Sequence, residues 1–108
     1  MLETMAEVRI QLRASHRLDE IYRHTREHWG DGQAERYITG LFDVFSKIAR
    51  HEIASKPIPA AFGHDGFYVR YERHVIYWRY LSNADIGIVT ILHERMHHMA
   101  HFRDDVEN

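Results

Sequence analysis

The apolar residues of this chain change their period once, and that change constrains the fold more than any other feature. Between residues 15 and 49 they recur at helical spacing, and between residues 67 and 92 they alternate or run together. A period of 3.6 giving way to a period of 2 describes helices followed by strands, the order of an α+β domain. Pro57, Pro59 and Gly66 fall in the gap between the two regimes, where neither a helix nor a central strand tolerates them.

Each regime divides further. Residues 7–13 alternate, with Val8, Ile10 and Leu12 opposed to Arg9, Gln11 and Arg13, which predicts a short half-buried strand. Ser15 is placed to cap a helix carrying Leu18, Ile21, Tyr22, Thr25 and Trp29 on one face, with Gly30 as its stop. Asp31 then caps a second helix whose stripe runs through Ala34, Tyr37, Ile38, Leu41, Phe45, Ile48 and Ala49. A link as short as residues 30–32 folds the two helices into an antiparallel hairpin. Residues 67–71, 74–80 and 86–92 read as three strands joined by short connections, an antiparallel meander. The last strand is apolar on both faces, so each face should be covered. The expected order is β-α-α-β-β-β, a helical hairpin packed on an antiparallel sheet. Residues 1–103 form a single domain, and the acidic residues 104–108 a frayed tail.

Composition narrows the function classes. A chain of 108 residues supports one core. No Cys is present, which removes disulfides, thiolate zinc sites and a Cys nucleophile. Fourteen basic against 16 acidic side chains give a net charge of −2, unlike a protein that holds nucleic acid by bulk charge. No apolar run approaches the ~20 residues of a membrane span. The first residues, which include Glu3 and Glu7, lack the basic start and apolar stretch of a signal peptide, so a cytoplasmic protein with no membrane partner is expected. The odd feature is ten His, whose protonation would carry the charge from −2 to +8.

Those His produce a motif. His93-Glu94-Arg95-Met96-His97 matches H-E-x-x-H, in which two His one helical turn apart grip zinc and the Glu activates its water. Residues 90–92 complete a strand pattern, which puts His93 at a strand end instead of within a helix. A third ligand is also wanting, since His101 lies eight residues on, roughly 12 Å along a helix axis. A zinc hydrolase is therefore the lesser reading, and no metal or other cofactor is expected. His97, His98 and His101 read as surface residues on a short turn, able to collect an adventitious transition metal.

A different set of residues explains more of the chain. Trp29-Gly30-x-x-Gln33-Ala34-Glu35-x-Tyr37-Ile38, then Gly66-Phe67, His74-Val75-Ile76-Tyr77, Arg79, Ile88 and Ile91-Leu92-His93-x-x-Met96 together resemble ParE-type toxins of the RelE/ParE superfamily. The resemblance spans roughly residues 7–97 and implies the same β-α-α-β-β-β order. The family commonly reads Ile-Leu-His-x-x-Met-Asp at this last place, so His97, standing where Asp is usual, completes the zinc-like string. The resemblance implies the toxin of a type II toxin–antitoxin pair, which inhibits DNA gyrase by binding, stops growth, serves plasmid stabilisation, and is wrapped by a cognate antitoxin in a hetero-oligomer. The other branch of the superfamily cleaves messenger RNA on the ribosome and is strongly basic. Here residues 65–103 hold five Arg against four acids, and neither a Lys beyond Lys56 nor a Tyr beyond Tyr80 occurs. Such a nuclease would have to use Arg70, Arg79, His93 and Arg95. A non-toxic, antitoxin-binding regulator is the remaining alternative.

The expected partner surface combines Arg70, Tyr77 and Arg79 on the exposed sheet with His93, Arg95 and Met96 at the C-terminal end. Tyr and Arg are enriched at interaction hot spots. Trp29, Tyr37 and Phe45 are expected in the core or hairpin packing, and His74 and His93 in structural hydrogen bonds at strand ends.

Overall fold

In a computed structural model of the chain, residues 6–107 are described. Residues 1–5, the start read above for a signal peptide, and Asn108 lie outside them. Strand β1 (Val8–Ile10) leads into helices α1 (Leu12–Trp29) and α2 (Asp31–Ala49). Strand β2 (Lys56–Pro57) and a 3₁₀ turn at Ala60–Phe62 precede β3 (Phe67–Tyr71), β4 (His74–Tyr80) and β5 (Ile86–His93), and helix α3 (His98–Glu107) closes the chain.

The strands form one sheet in the order β1-β5-β4-β3-β2. β2 through β5 pair antiparallel, whereas β1 pairs parallel to β5 through Val8↔Ile86 and Ile10↔Ile88. The sheet is thus mixed, because the helices carry the chain from β1 to β2 at the far edge, and the meander brings it back beside β1 only at β5, running in the same sense. β1 reaches only as far as Ile88, so among the described residues no strand lies on the outer side of the second half of β5. A bulge follows Tyr77: Tyr77 pairs with Thr90 and Trp78 with Ile88, leaving Val89 unmatched.

The hairpin has a tighter link than residues 30–32. Gly30 alone ends α1 and starts α2, at φ 88° and ψ 170°, a region open essentially to Gly. Its N–H donates to the Arg26 carbonyl and its own carbonyl accepts from the Ala34 N–H. Asp31 is therefore the first helical residue instead of the cap, still well placed against the dipole. α1 likewise begins earlier than Ser15. The Gln11 N–H donates to the Ile88 carbonyl, so the sheet holds the chain until Gln11 and the helix starts at the next residue.

Both sheet faces are covered, as the apolar β5 requires. On one side Leu18, Ile21, Tyr37, Leu41, Phe45 and Ile48 of the hairpin pack on Val69, Ile76, Trp78, Ile86, Ile88 and Ile91. On the other, Ile58 and Phe102 bury Val75, Tyr77, Val89 and Leu92. That second layer overturns the expectation of a frayed tail. Residues 104–107 continue α3, and Asp105 is among its buried residues. The helix is fixed by Phe102, 1% exposed, whose burial contributes roughly 1.5–3 kcal/mol, and by polar contacts made on either side of it.

Candidate functional site

A groove of about 580 Å³ opens between the hairpin and the end of the sheet. Its walls come from α1 (Arg17, Ile21, His24), the end of the hairpin (Trp29, Tyr37), the β3–β4 turn (Glu72, Arg73) and the ends of β4 and β5 (His74, His93), with Met96 beyond them. Helical spacing aligns Arg17, Ile21, His24 and Thr25 on one side of α1, and antiparallel register sets His74 directly opposite His93.

The groove contains a linked set of polar rings. The Tyr37 hydroxyl lies 2.6 Å from His74 Nδ1 and donates to it. Burial, and next the nearby His93, lower the His74 pKa to about 4, so its imidazole is a neutral acceptor. Burial pushes the Tyr37 hydroxyl up to about 12, which keeps its proton in place. The His74 and His93 rings meet edge to face at 5.2 Å, and His93 Nδ1 accepts from the Arg95 N–H at 3.1 Å. These groups shape and polarise the groove, and the Tyr37–His74 pair is a donor–acceptor couple with no displaced proton to transfer.

The expected partner residues are divided by the structure. Arg70 is exposed on β3 and donates to the Glu94 carboxylate at 2.7 Å, which holds that carboxyl below its ordinary range. Arg79 stands on the same sheet face, half-buried beside Gly66. Tyr77 is a correction: it is 4% exposed, with Phe62 and Phe102 against its ring and its hydroxyl donating to His98 Nδ1 at 2.7 Å. α3 covers this part of a face that alternation alone made solvent-facing. His93 and Met96 line the groove, while Arg95 is exposed. The four residues considered for phosphate cleavage therefore do not converge: Arg70 and Arg79 lie on the sheet face and His93 in the groove.

Trp29 is a second correction. It is 73% exposed at the rim of the groove, because the last turn of α1 extends past the sheet that buries Leu18 and Ile21. Tyr37 and Phe45 are buried as expected. His74 and His93 do make strand-end hydrogen bonds, and they also line the groove. Arg17 and Asp105 were not singled out from the sequence, and nothing local to either marks it.

The H-E-x-x-H string does not form the helical turn that zinc binding needs. His93 ends β5, Glu94 is engaged by Arg70, and His97 precedes α3. Among the described residues no three His, Asp or Glu side chains are arranged to hold a metal ion. His98, expected on the surface, is half-buried, with its Nε2 at 2.9 Å from the His93 carbonyl.

A helical hairpin on a mixed sheet, with a groove at the sheet end, defines a small α+β domain. The family model for the ParE toxin of the type II toxin–antitoxin system, parDE, matches residues 8–98. The chain belongs to the ParE toxin family. Among solved structures, a chain of the chromosomal ParDE TA system from P. aeruginosa has the same fold, with a TM-score of 0.67 at 18% identity over 82% of this chain and 96% of that one. No curated protein matches the chain in sequence. No helix among the described residues is long and apolar enough to cross a membrane.

Proposed function

We propose that this ParE-family protein is a cytoplasmic toxin that stops growth by binding DNA gyrase, and that a cognate antitoxin neutralises it by occupying the groove. The observation that carries this reading is the groove itself: an indole 73% exposed on its rim beside Ile21, Ile91 and Met96. A large aromatic left in water next to a concave apolar wall is the arrangement of a protein anchor. An antitoxin segment that orders on binding would cover it. The gyrase contact is assigned to Arg70 and Arg79 on the sheet face and to His93, Arg95 and Met96 at the end of β5, with Tyr77 supporting them from beneath.

The test is a gyrase supercoiling and cleavage assay with purified protein. Accumulation of cleaved DNA that disappears on adding a cognate antitoxin is the expected result. An inert gyrase assay together with messenger cleavage on translating ribosomes would replace this reading by the nuclease one. Trp29→Ala should leave gyrase trapping intact and make it resistant to the antitoxin.

A further inference from the structure

Cross-strand register gathers a second group of side chains away from the groove. Lys56 of β2 pairs with Tyr68 of β3, and Tyr68 pairs with Tyr77 of β4, so all three project from the face that α3 partly covers. Arg70 lies two residues past Tyr68 on that face and Arg79 two residues past Tyr77. At Gly66 a Cβ would stand 3.5 Å from that of Arg79, so the stem of Arg79 lies beside a residue with no side chain. The covering layer lies over Tyr77, where Phe62 and Phe102 pack, and ends at Ile58, which leans over Gly66 beside Arg79. Tyr68 rests on the buried Tyr77 ring at 5.9 Å and is itself half-exposed.

The charge on this face is one-sided. Lys56 and Arg79 form no ion pair among the described residues. Among the described residues the sole carboxylate bound to the patch is Glu94, which Arg70 meets from its margin. Three cations around one aromatic ring stand out in a chain whose net charge is −2. From β2 to β4 the patch is about 10 Å wide, the width of a short run of carboxylates. Nucleic acid draws its affinity from many phosphate contacts along a longer basic stripe.

We infer that Lys56, Tyr68, Arg70 and Arg79 dock a short acidic segment of the partner protein. Its carboxylates meet Lys56 and Arg79, and an apolar or aromatic side chain lies on Tyr68. The inference rests on the gyrase reading, since it takes gyrase as that partner and the protein surface, not the DNA, as the contact.

The experiment immobilises the full chain and measures binding of gyrase holoenzyme without DNA, and of duplex DNA alone, over a salt series. Tyr68→Ala and the double variant Lys56→Gln/Arg79→Gln are compared with the parent, and Tyr68→Phe keeps the ring if the Ala variant fails to fold. Expected are at least tenfold weaker gyrase binding for Tyr68→Ala, near-parental binding for Tyr68→Phe, and slower association with a flatter salt dependence for the double variant. Folded variants that bind and trap gyrase like a parent that itself traps would overturn this inference alone. Capture of duplex DNA that the same substitutions abolish would overturn it in favour of a nucleic-acid surface. A parent inert toward gyrase removes the underlying reading as well.

Discussion

Asp105 provides the strongest test of how the C-terminal helix is held. Its side chain is 3% exposed and accepts two hydrogen bonds from Arg17, from Nε at 3.0 Å and Nη2 at 3.1 Å. It accepts a third from the Thr90 hydroxyl at 2.7 Å. Asp105→Ala removes all three at once. Thr90 is 0% exposed, and a buried hydroxyl without a partner costs about 1–3 kcal/mol. Removing one member of a buried ion pair costs about 3–5 kcal/mol. The low end applies, because Arg17 keeps 18% side-chain exposure and a second carboxylate, Glu20, at 3.5 Å. A loss of about 3 kcal/mol is therefore expected, equivalent to a fall in Tm of about 12 °C for a domain of this size.

Urea unfolding measures it, and a double-mutant cycle with Arg17→Met isolates the pair. A coupling energy of at least about 1 kcal/mol is expected between residues in one buried network. A single-variant cost below about 1 kcal/mol, or additive single variants, would refute the reasoning and return residues 104–107 to the status of a loosely attached tail.

Three other outcomes follow from the same geometry. His74 has its pKa lowered to about 4 from 6.5, so the unfolded chain binds its proton first; the stability it contributes is complete above pH 6.5 and falls by about 2–3 kcal/mol as pH drops toward 4. Urea midpoints between pH 4.5 and 6.5 check this, and His74→Gln should flatten the slope. Gly40→Ala drives a methyl group into the Tyr71 hydroxyl, so it should destabilise by about 1 kcal/mol or more despite a helix-propensity gain of about 0.5–1 kcal/mol, with Tyr71→Phe recovering part of the loss. Trp29→Ala should change the free energy of urea unfolding by less than about 0.5 kcal/mol, as an exposed substitution does, while weakening antitoxin binding at least tenfold as a hot spot does.

The order β1-α1-α2-β3-β4-β5 was legible in the sequence because each of those elements carries its own apolar period, whereas β2, two exposed residues, and α3 carry none. The Leu41, Phe45 and Ile48 stripe and the fully apolar β5 state which faces must be covered, and the structure covers them. α3 was illegible for the converse reason. Its buried Asp105 is explained by Arg17 and Thr90, 88 and 15 residues away, and an isolated acidic segment gives no hint of them. The misplacement of Tyr77 has the same origin. Val75, Tyr77 and Arg79 share a face, but the cover that buries the first two leaves Arg79 at its edge, so no single rule for the strand face serves all three. Trp29 continues the spacing of α1 without error. The sheet beneath it simply ends first.

One departure from the family resemblance acquires a physical meaning at the start of α3. His97 stands where Asp is common, and its carbonyl accepts the His101 N–H at 3.1 Å while its Nδ1 accepts the Ala100 N–H at 3.3 Å. That is the bonding of an N-cap residue, the first carbonyl of the helix plus a side-chain acceptor for its third N–H. Asp does this with a shorter side chain and a full negative charge beside the helix dipole, so a capping role accounts for Asp at this place as well as for His. His97→Asp should therefore stabilise the protein, by about 0.5–1 kcal/mol from charge at a helix N-terminus, and His97→Ala should cost about 1 kcal/mol. Urea midpoints at pH 7 decide it. An Asp variant less stable than the parent would mean that His97 serves α3 through something other than its cap, and would separate this residue from the position it occupies in the family.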